Sequence, residues 1–302
     1  MGRAGGAGRP GRRGPHALVG RSGARAARSG AAVGAGRDVT GCGPRSATLA
    51  RGSLLRPPAD VSTFPPDVLP IEHTLRFLDR VLPQRSRVLE VGCGRGALAA
   101  RLQARGLEVT ALDVSPEAVA AARALGVHAV AGDFLEFVAE PFDAVLFSRS
   151  LHHIASLPRA VDRAHALLGP GGLVIAEEFA VERMDRQTAR WFYELRSLLE
   201  AAGLLAPDSG ESLAIGPLER WFAEHDENPL HAAEDMLVAI GSRFEVERAE
   251  DAPYLYRWVC DRIEAGDRGA RVAQWVFELE SLRVEENSLR AIGRRMVARR
   301  RA

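Results

Sequence analysis

The sequence predicts an α/β fold built on a doubly wound, mostly parallel sheet, and three observations support it. Short apolar strands alternate with amphipathic helical segments between residues 71 and 182. The first strand runs directly into a glycine-rich turn that opens a helix, over Arg87–Leu98. Gly and Pro residues separate the later segments at lengths typical of βαβ units.

Composition and charge indicate a mildly acidic globular protein with a basic start. The chain has 302 residues, 46% hydrophobic and 26% charged, with a net charge of +1. Residues 1–60 hold 11 Arg against Asp38 and Asp60, whereas the other residues hold 29 Arg against 37 acidic residues. The acidic balance of the folded part argues against nucleic acid as its main partner.

Shifts in composition divide the chain into five segments. The Gly/Ala/Arg-rich start has few large apolar residues and cannot bury enough surface to offset its ordering entropy. The periodicity changes after Glu178 to longer helical segments, which marks an insertion that begins at residue 183. The predicted segments are a disordered extension at 1–58, a Pro-rich linker at 59–70, an α/β core at 71–182, a helical cap insertion at 183–240, and the last strands and helices at 241–302.

The arginine-rich start leaves three interpretations open. Its acid-poor character is similar to that of an organellar transit peptide, although Gly and Pro break any amphipathic helix. A basic arm that contacts nucleic acid is a second interpretation. Composition favours the third, an unstructured extension. No apolar segment follows Arg12 and Arg13, so an export signal is not expected.

Cysteine usage and hydropathy predict a cytoplasmic protein. Cys42, Cys93 and Cys260 are widely spaced and odd in number, which argues against a disulfide framework and a structural zinc site. We therefore expect no bound metal. No apolar run approaches the ~18 residues of a transmembrane helix.

The first half of the folded part predicts strands and helices in strict alternation. Ser115 is a suitable N-cap, and Pro116 suits the first helical position after it. Predicted helices are Ile71–Val81, Ala97–Arg105, Pro116–Leu125 and Leu157–Leu168, and predicted strands are Arg87–Val91, Glu108–Asp113, His128–Ala131, Ala144–Ser148 and Leu173–Glu177.

The second half is mainly helical. Trp191, Phe192 and Leu195 recur at helical spacing, which is more typical of core than of a substrate site. The arginines of the last residues fit a charged edge strand. Predicted helices are Arg183–Ala202, Pro217–His225, Ala232–Ile240, Tyr254–Ile263 and Arg271–Arg290, and predicted strands are Phe244–Arg248 and Arg295–Arg299.

The glycine-rich turn is the most informative motif. Gly92, Gly94 and Gly96 allow a sharp backbone turn with no Cβ between the chain and a ligand, and the helix that follows offers free N–H groups. The spacing also satisfies G-x-G-x-x-A with Ala97, so a nicotinamide dinucleotide remains an alternative ligand. Asp113, which ends the second strand, suits the ribose of either ligand class.

Glu90-x-Gly92-x-Gly94-x-Gly96 resembles the first motif of class I S-adenosylmethionine-dependent methyltransferases. Later segments agree in order: Asp113-Val114, Gly132-Asp133-Phe134, Phe142-Asp143, Leu151–Ile154 and Pro170-Gly171-Gly172. The resemblance covers residues 70–180 well and 240–300 loosely. It implies a Rossmann-like sheet of seven strands that ends in an antiparallel pair, with helical additions after strands five and six, and it makes residues 71–182 the S-adenosylmethionine-binding core.

The same resemblance implies a set of cofactor-binding residues. Asp113 matches the acid that holds the ribose diol, Val114 the apolar residue against adenine, and Asp133 the acid that receives the adenine amine. Ser148 matches a position near the methionine part. The full set is Glu90, Gly92, Cys93, Gly94, Gly96, Asp113, Val114, Asp133, Phe134 and Ser148. Cys93 is a small filler rather than a nucleophile, because no base lies near it in sequence.

Three residues are candidates for proton transfer. His152 and His153 follow the fourth strand, and adjacent residues on a helical turn point about 100° apart, so at most one of them faces the cleft. Glu178 lies just past the fifth predicted strand, where a carboxylate could orient a substrate or accept a proton. His225, His231, Tyr254 and Tyr256 lie in the added segments and could line a substrate pocket.

These residues predict in-line methyl transfer to a small organic acceptor, with the acceptor's identity set by the cap. The N/D-P-P-Y/F signature of methylation on nucleic acid or protein is missing after strand four. One alternative is a nicotinamide-dependent oxidoreductase, whose Tyr-x-x-x-Lys relay cannot exist in a chain without lysine. The others are a non-catalytic S-adenosylmethionine-binding module and an RNA methyltransferase that uses the basic arm. The oligomeric state is left open.

Overall fold

The computed structural model describes residues 63–206, 215–225 and 231–301. The predictions for residues 1–58 and for the first part of the linker, 59–62, lie outside these ranges. The strands are β1 Arg87–Val91, β2 Glu108–Asp113, β3 His128–Ala131, β4 Phe142–Ser148, β5 Leu168–Phe179, β6 Phe244–Ala252 and β7 Gly293–Arg300. The helices are α1 Leu69–Leu78, α2 Ala97–Ala104, α3 Pro116–Ala124, α4 Leu157–Leu167, α5 Arg186–Ala201, α6 Pro217–Glu224, α7 Ala233–Arg243, α8 Tyr256–Cys260 and α9 Asp267–Glu285.

The strands form one seven-stranded sheet in the order β3-β2-β1-β4-β5-β7-β6. Strands β1 to β5 are parallel, and β7 is antiparallel to both β5 and β6. This is the doubly wound, mostly parallel α/β fold predicted from the sequence, with the antiparallel pair at its end. The strand order reverses beside β1, which places the glycine-rich turn at a topological switch point.

Helices cover both faces of the sheet. On one face α1, α2 and α3 bury Phe77, Leu102 and Ala122 against the strands. On the other face α4 and α7 bury Val161 and Ile240. The N-terminus of α3 forms as the sequence predicts, because the Ser115 side chain accepts a hydrogen bond from the Ala118 amide at 3.1 Å.

The boundaries of several elements differ from the prediction, and the differences at α1 and β5 change the interpretation of the chain. Helix α1 begins at Leu69, inside the predicted linker, because Pro70 fits the first turn of a helix, where its missing N–H has no partner to lose. Strand β5 runs from Leu168 to Phe179 through the Gly-Pro-Gly-Gly stretch, with a register shift between Phe142 and Ala144 on β4. Glu178 therefore lies within β5 rather than past its end.

The helical cap is assembled differently from the predicted insertion at 183–240. Helix α7 packs on the sheet with α4, so it belongs to the core layer. Helices α8 and α9, predicted to complete the domain, instead join α5 and α6 in a third apolar cluster. Phe192 and Trp221 are buried there, and Trp191 and Leu195 are partly buried against it, which confirms the Trp191 stripe as core.

The arginine-rich last strand is not an edge strand. β7 lies between β5 and β6, so β6 forms that edge of the sheet. Arginines of β7 pair with acids on its neighbours: Arg294 with Asp251 at 2.5 Å, Arg295 with Glu177 at 2.6 Å, and Arg299 with Glu247 at 2.5 Å. Across the described ranges, every helix is too short or too polar to span a bilayer.

Candidate functional site

The glycine-rich turn folds as its three glycines require. Gly92, Gly94 and Gly96 have φ of 69°, 53° and 79°, a conformation that side chains disfavour. A Cβ on Gly92 would lie 2.5 Å from that of Ser150, and one on Gly96 would lie 2.5 Å from that of Ala122. A Cβ on Gly94 would meet nothing within 4 Å. Gly92 and Gly96 therefore serve packing, whereas Gly94 faces open space that a ligand can occupy.

Two cavities open at the carboxyl edge of the parallel strands. The cap-side cavity has a volume of about 570 Å³ and lies between the glycine-rich turn and the helical cap. The strand-side cavity has a volume of about 440 Å³ and lies over the ends of β2 and β3. Gly92, Arg149 and His153 line both cavities. The pair therefore forms one continuous candidate site with two compartments.

Asp113 and Asp133 supply the carboxylates of the strand-side cavity. Asp113 accepts the Gly94 amide on Oδ2 at 2.8 Å and the Ser115 amide on Oδ1 at 2.9 Å. Each oxygen keeps a second lone pair for a ligand hydroxyl. Asp133 accepts the Leu135 amide at 2.8 Å. These bonds fix both carboxylates in orientations that face a common cavity.

Apolar residues of the strand-side cavity divide into exposed and buried ones. Val114 is 72% exposed and lines the cavity, so its side chain is open to a flat ligand. Phe134, predicted to contact the cofactor, instead packs its side chain edge-on against Phe147 in the core, with ring centroids 5.3 Å apart. Core packing therefore accounts for an aromatic residue at position 134, and no contact between its ring and a ligand is needed.

Glu90 is the most unusual carboxyl group of the cap-side cavity. It is 3% exposed and its Oε2 has no hydrogen-bond partner. Burial raises the pKa of Glu90 to about 8, against an opposing effect of the Arg149 charge. A buried polar atom without a hydrogen-bond partner costs free energy. Because Glu90 lines the cavity, a ligand ammonium group would satisfy it.

His152 and Glu178 form a buried hydrogen-bonded pair beside the cap-side cavity. The His152 Nδ1 lies 2.5 Å from Glu178 Oε2, and Glu178 Oε1 accepts the amides of Ser150 at 3.2 Å and Leu151 at 2.9 Å. Since the carboxylate receives the Nδ1 proton, Nε2 is the ring nitrogen left with a lone pair. His152 lines the cavity, whereas Glu178 is 0% exposed and does not.

The predicted substrate contact of Glu178 is therefore replaced by a positioning role. Its carboxylate holds the loop after β4 through two amides and holds the Nδ1 edge of the His152 ring. His153 is exposed and lines both cavities, so both histidines reach the site, on different sides of the loop. The prediction that at most one would face the cleft is wrong, because the two compartments meet at this loop.

Cys93 and Ser148 lie where the sequence predicts them, in the wall of the cap-side cavity. Burial raises the pKa of the Cys93 thiol to about 12, which makes it unreactive and supports its interpretation as a filler. Among the described residues, no group of three or more His, Cys, Asp or Glu side chains is arranged to hold a metal ion.

An aromatic wall completes the cap-side cavity. Phe179 and Tyr254 stack with centroids 5.4 Å apart and an angle of 16°, and Trp258 meets Phe179 edge-on at 5.2 Å. His225 lies 5.4 Å from Phe179 and also lines the cavity. Of the other candidates, His231 bonds the carbonyl of Ile154, and Tyr256 is buried in the core.

Sequence reasoning missed several residues of this site, among them Phe179, Trp258 and Arg149. Phe179 follows Glu178 at the end of β5, and Trp258 lies on α8, which the sequence did not assign to the cap. Arg149 has φ of 60°, rare for a residue with a side chain, and it lines both cavities. Only its place directly after a buried strand could have drawn attention to Arg149.

Comparison with known proteins adds independent evidence. A family model described as "Methyltransferase domain" matches residues 68–215. Residues 68–215 therefore match a methyltransferase domain, and strands β6 and β7 of the same sheet lie outside the match. The match contains the glycine-rich turn, Asp113, Asp133 and the His152–Glu178 pair. The family's cofactor is S-adenosylmethionine, so the resemblance seen in the sequence motifs is confirmed at the level of the family.

Curated relatives match this methyltransferase domain over part of their length. A ubiquinone biosynthesis O-methyltransferase from Xylella fastidiosa is 36% identical over 108 residues, which cover 32% of this chain and 44% of that protein. The human mitochondrial arginine-hydroxylase NDUFAF5 is 31% identical over 144 residues, 45% of this chain and 39% of that protein. The chain thus spans less than half the length of these two relatives. Their names describe different reactions, an O-methylation and an arginine hydroxylation.

A solved structure agrees in fold. The phosphoethanolamine N-methyltransferase 2 of Haemonchus contortus, in complex with S-adenosyl-L-methionine, superimposes with a TM-score of 0.50 at 17% identity. The alignment covers 76% of this chain and 53% of that one. At this identity the likeness concerns the fold of the methyltransferase domain alone.

Proposed function

We propose that this chain transfers a methyl group from S-adenosylmethionine to a hydroxyl group of a small organic acceptor. The observation that carries the proposal is the His152–Glu178 pair, because it presents a ring nitrogen with a free lone pair to the cap-side cavity. The O-methyltransferase name of the Xylella fastidiosa relative points to the same kind of acceptor atom.

The residues of the two cavities fit the cofactor. Asp113 would bind the ribose hydroxyls through its remaining lone pairs, Val114 would lie against the adenine, and Asp133 would receive the adenine amine. Glu90 would receive the ammonium group that its orphaned oxygen lacks. Gly94 leaves room for the methionine part beside the turn. When bound, the cofactor supplies a methyl group already activated by a sulfonium.

Because the methyl donor is already activated, the protein contributes mainly alignment and a proton acceptor. The cap-side cavity holds the acceptor beside the turn and excludes water with the aromatic wall of the cap. His152 Nε2 takes the proton of the acceptor hydroxyl as the oxygen becomes nucleophilic. Glu178 keeps the ring in the Nδ1–H tautomer and stabilises the imidazolium that forms.

The proposal is tested by methyl transfer from labelled S-adenosylmethionine to a panel of phenols, catechols and primary amines. We expect transfer to a hydroxyl compound, and we expect His152→Gln to lower its rate by roughly 10²–10⁴-fold, the usual contribution of a general base. Binding of S-adenosylhomocysteine should stay within about twofold, since Glu90 and Asp113 are untouched.

His153→Gln is the matched control, because it changes the neighbouring imidazole on the same loop without touching Glu178. It should retain a rate within about tenfold of the native chain. Equal rates for the native chain and His152→Gln would contradict the base assignment. Cofactor binding without transfer to any member of the panel would contradict the enzyme and favour a binding module.

A further inference from the structure

Arg149 is a strained cation at the junction of the two cavities. Its backbone has φ of 60°, a left-handed conformation that residues with a Cβ disfavour. The neighbouring bonds hold it there: its amide donates to the Glu177 carbonyl at 2.9 Å, and the Ser150 hydroxyl donates to the Val91 carbonyl at 2.6 Å. Strain of this kind at a cavity wall points to a functional side chain.

The Arg149 guanidinium forms no salt bridge within the described part of the chain, although the Glu90 and Asp261 carboxyl groups lie near enough to interact with its charge. Arg257, which also lines the cap-side cavity, is by contrast buried and paired with Glu177 at 2.9 Å. The influence of Arg149 reaches into the cavity, because its charge lowers the pKa of Glu90 and Tyr254 against the larger effect of burial on each. An anion in this cavity would find Arg149 available.

The aromatic wall opposite fits a flat ring. Phe179, Tyr254 and Trp258 form a tight cluster, and Trp258 is only half-buried, which leaves part of its ring open to the cavity. Such a wall binds either aromatic rings or cations. The cofactor already brings a positive charge into this cavity, and Arg149 adds a second one that no salt bridge compensates, so a cationic acceptor is disfavoured and the wall favours an aromatic ring.

We propose that the acceptor is an aromatic acid, whose carboxylate binds the Arg149 guanidinium and whose ring lies against Trp258 and Phe179. The proposal rests on the proposed function and names the substrate class of that same cavity. A guanidinium can bind a carboxylate through two parallel hydrogen bonds, and this makes it selective for planar anions. The ring then carries the hydroxyl that His152 deprotonates.

Two probes of the same shape test this assignment in the full chain. 4-Hydroxybenzoate and 4-methylphenol share the ring and hydroxyl and differ in the carboxylate, which is ionised at neutral pH. With S-adenosylhomocysteine bound, calorimetry should give a dissociation constant at least tenfold lower for the acid. Arg149→Met should abolish that preference, Arg149→Lys should restore part of it, and Arg95→Met should keep it.

Arg95 is the matched control because it is exposed and lines the same cavity. Equal affinities for the two probes, no binding of the acid, or loss of preference in Arg95→Met instead of Arg149→Met would overturn the assignment. The assignment would also be overturned if Arg149→Met bound S-adenosylhomocysteine more weakly but kept the preference for 4-hydroxybenzoate. That result would mean that Arg149 binds the cofactor. If the native chain bound no S-adenosylhomocysteine, that result would contradict the proposed function and therefore also this assignment.

Discussion

At the scale of single residues, Glu90 connects burial, charge and ligand binding most directly. Its carboxyl group is enclosed in the wall of the cap-side cavity, and the pKa of about 8 keeps it largely protonated at neutral pH in the empty protein. An ammonium group placed beside it favours the carboxylate and lowers that pKa. Ligand binding and deprotonation of Glu90 are therefore linked.

We predict that S-adenosylhomocysteine binding at pH 7 releases on the order of one proton, because the pKa of Glu90 falls from about 8 when the ammonium arrives. Affinity should accordingly rise from pH 6 to pH 8. Calorimetry in buffers of different ionisation enthalpy measures the release. Glu90→Gln should bind more weakly with no such release, and an equal release in that variant would contradict the assignment.

The glycines of the turn offer a second prediction at this scale. Gly96→Ala should unfold the protein at a markedly lower denaturant concentration, because its Cβ would lie 2.5 Å from the Cβ and 2.9 Å from the Cα of Ala122. Gly94→Ala should lower the free energy of unfolding by only about 1–2 kcal/mol, from backbone strain. It should nonetheless lose cofactor binding, because its methyl group enters the open space of the site.

Denaturation and titration of both variants separate these effects. Equal losses of stability in Gly94→Ala and Gly96→Ala would contradict the division between packing and binding glycines. Wild-type affinity for S-adenosylhomocysteine in Gly94→Ala would contradict the ligand position.

Some site residues could be predicted from sequence and others could not, for a physical reason. Glu90, Gly94 and Asp113 lie on a strand, the turn after it and the next strand end, so their spacing alone brings them together. Trp258 reaches the cavity through the packing of α8 on the cap, which no local pattern encodes. Phe134 shows the reverse case, since its ring packs in the core at a position that the motif marks as cofactor-binding.

At the scale of elements, the Glu177 carboxylate near the end of β5 bonds side chains from three neighbouring segments. It accepts hydrogen bonds from Thr74 on α1, Arg257 on α8 and Arg295 on β7. The two guanidinium groups hold the pKa of this buried carboxyl at about 2, against the opposing effect of burial. The folded state therefore favours the carboxylate, and its contribution to stability is present above pH 4.5 and is lost as pH falls toward 2.

We predict that Glu177→Gln lowers the free energy of unfolding at pH 7 by about 3–5 kcal/mol, because Arg257 stays buried without its partner. The difference from the native chain should shrink between pH 4.5 and pH 2, where the native carboxylate is itself protonated. Urea unfolding across that range measures both effects.

Glu250→Gln is the control for this variant. Glu250 also pairs with an arginine, Arg80 at 3.2 Å, but on the surface, so its loss should cost no more than about 1 kcal/mol. If Glu177→Gln lowered the free energy of unfolding no more than Glu250→Gln does, the conclusion that Glu177 stabilises the packing of β5 against its neighbours would be contradicted.

The cap shows where prediction of elements stops. The helices were predicted close to their observed bounds, since the apolar period marks a buried face. The period does not say what that face packs against. The prediction placed α7 in the cap insertion and α8 in the completing segment, whereas α7 packs on the sheet and α8 packs in the cap cluster. It also placed β7 at an edge of the sheet, whereas β7 lies between β5 and β6.

At the scale of the whole molecule, sheet topology explains why the site forms where it does. The parallel strands bring the ends of β1, β2, β4 and β5 to one edge, and the switch in strand order opens a crevice beside β1. The cap closes that crevice from above with aromatic side chains. Two adjoining cavities result, one lined by Asp113 and Asp133 and one lined by His152 and Arg149.

The most direct test is titration of the chain with S-adenosylmethionine, S-adenosylhomocysteine and NAD, with Asp113→Ala alongside. Asp143→Ala is the control, since Asp143 accepts the Arg87 amide at the far ends of β1 and β4. We predict dissociation constants on the order of 10 μM for the first two ligands, lost in Asp113→Ala and retained in Asp143→Ala. Binding of NAD alone, or of none of the three, would contradict the account.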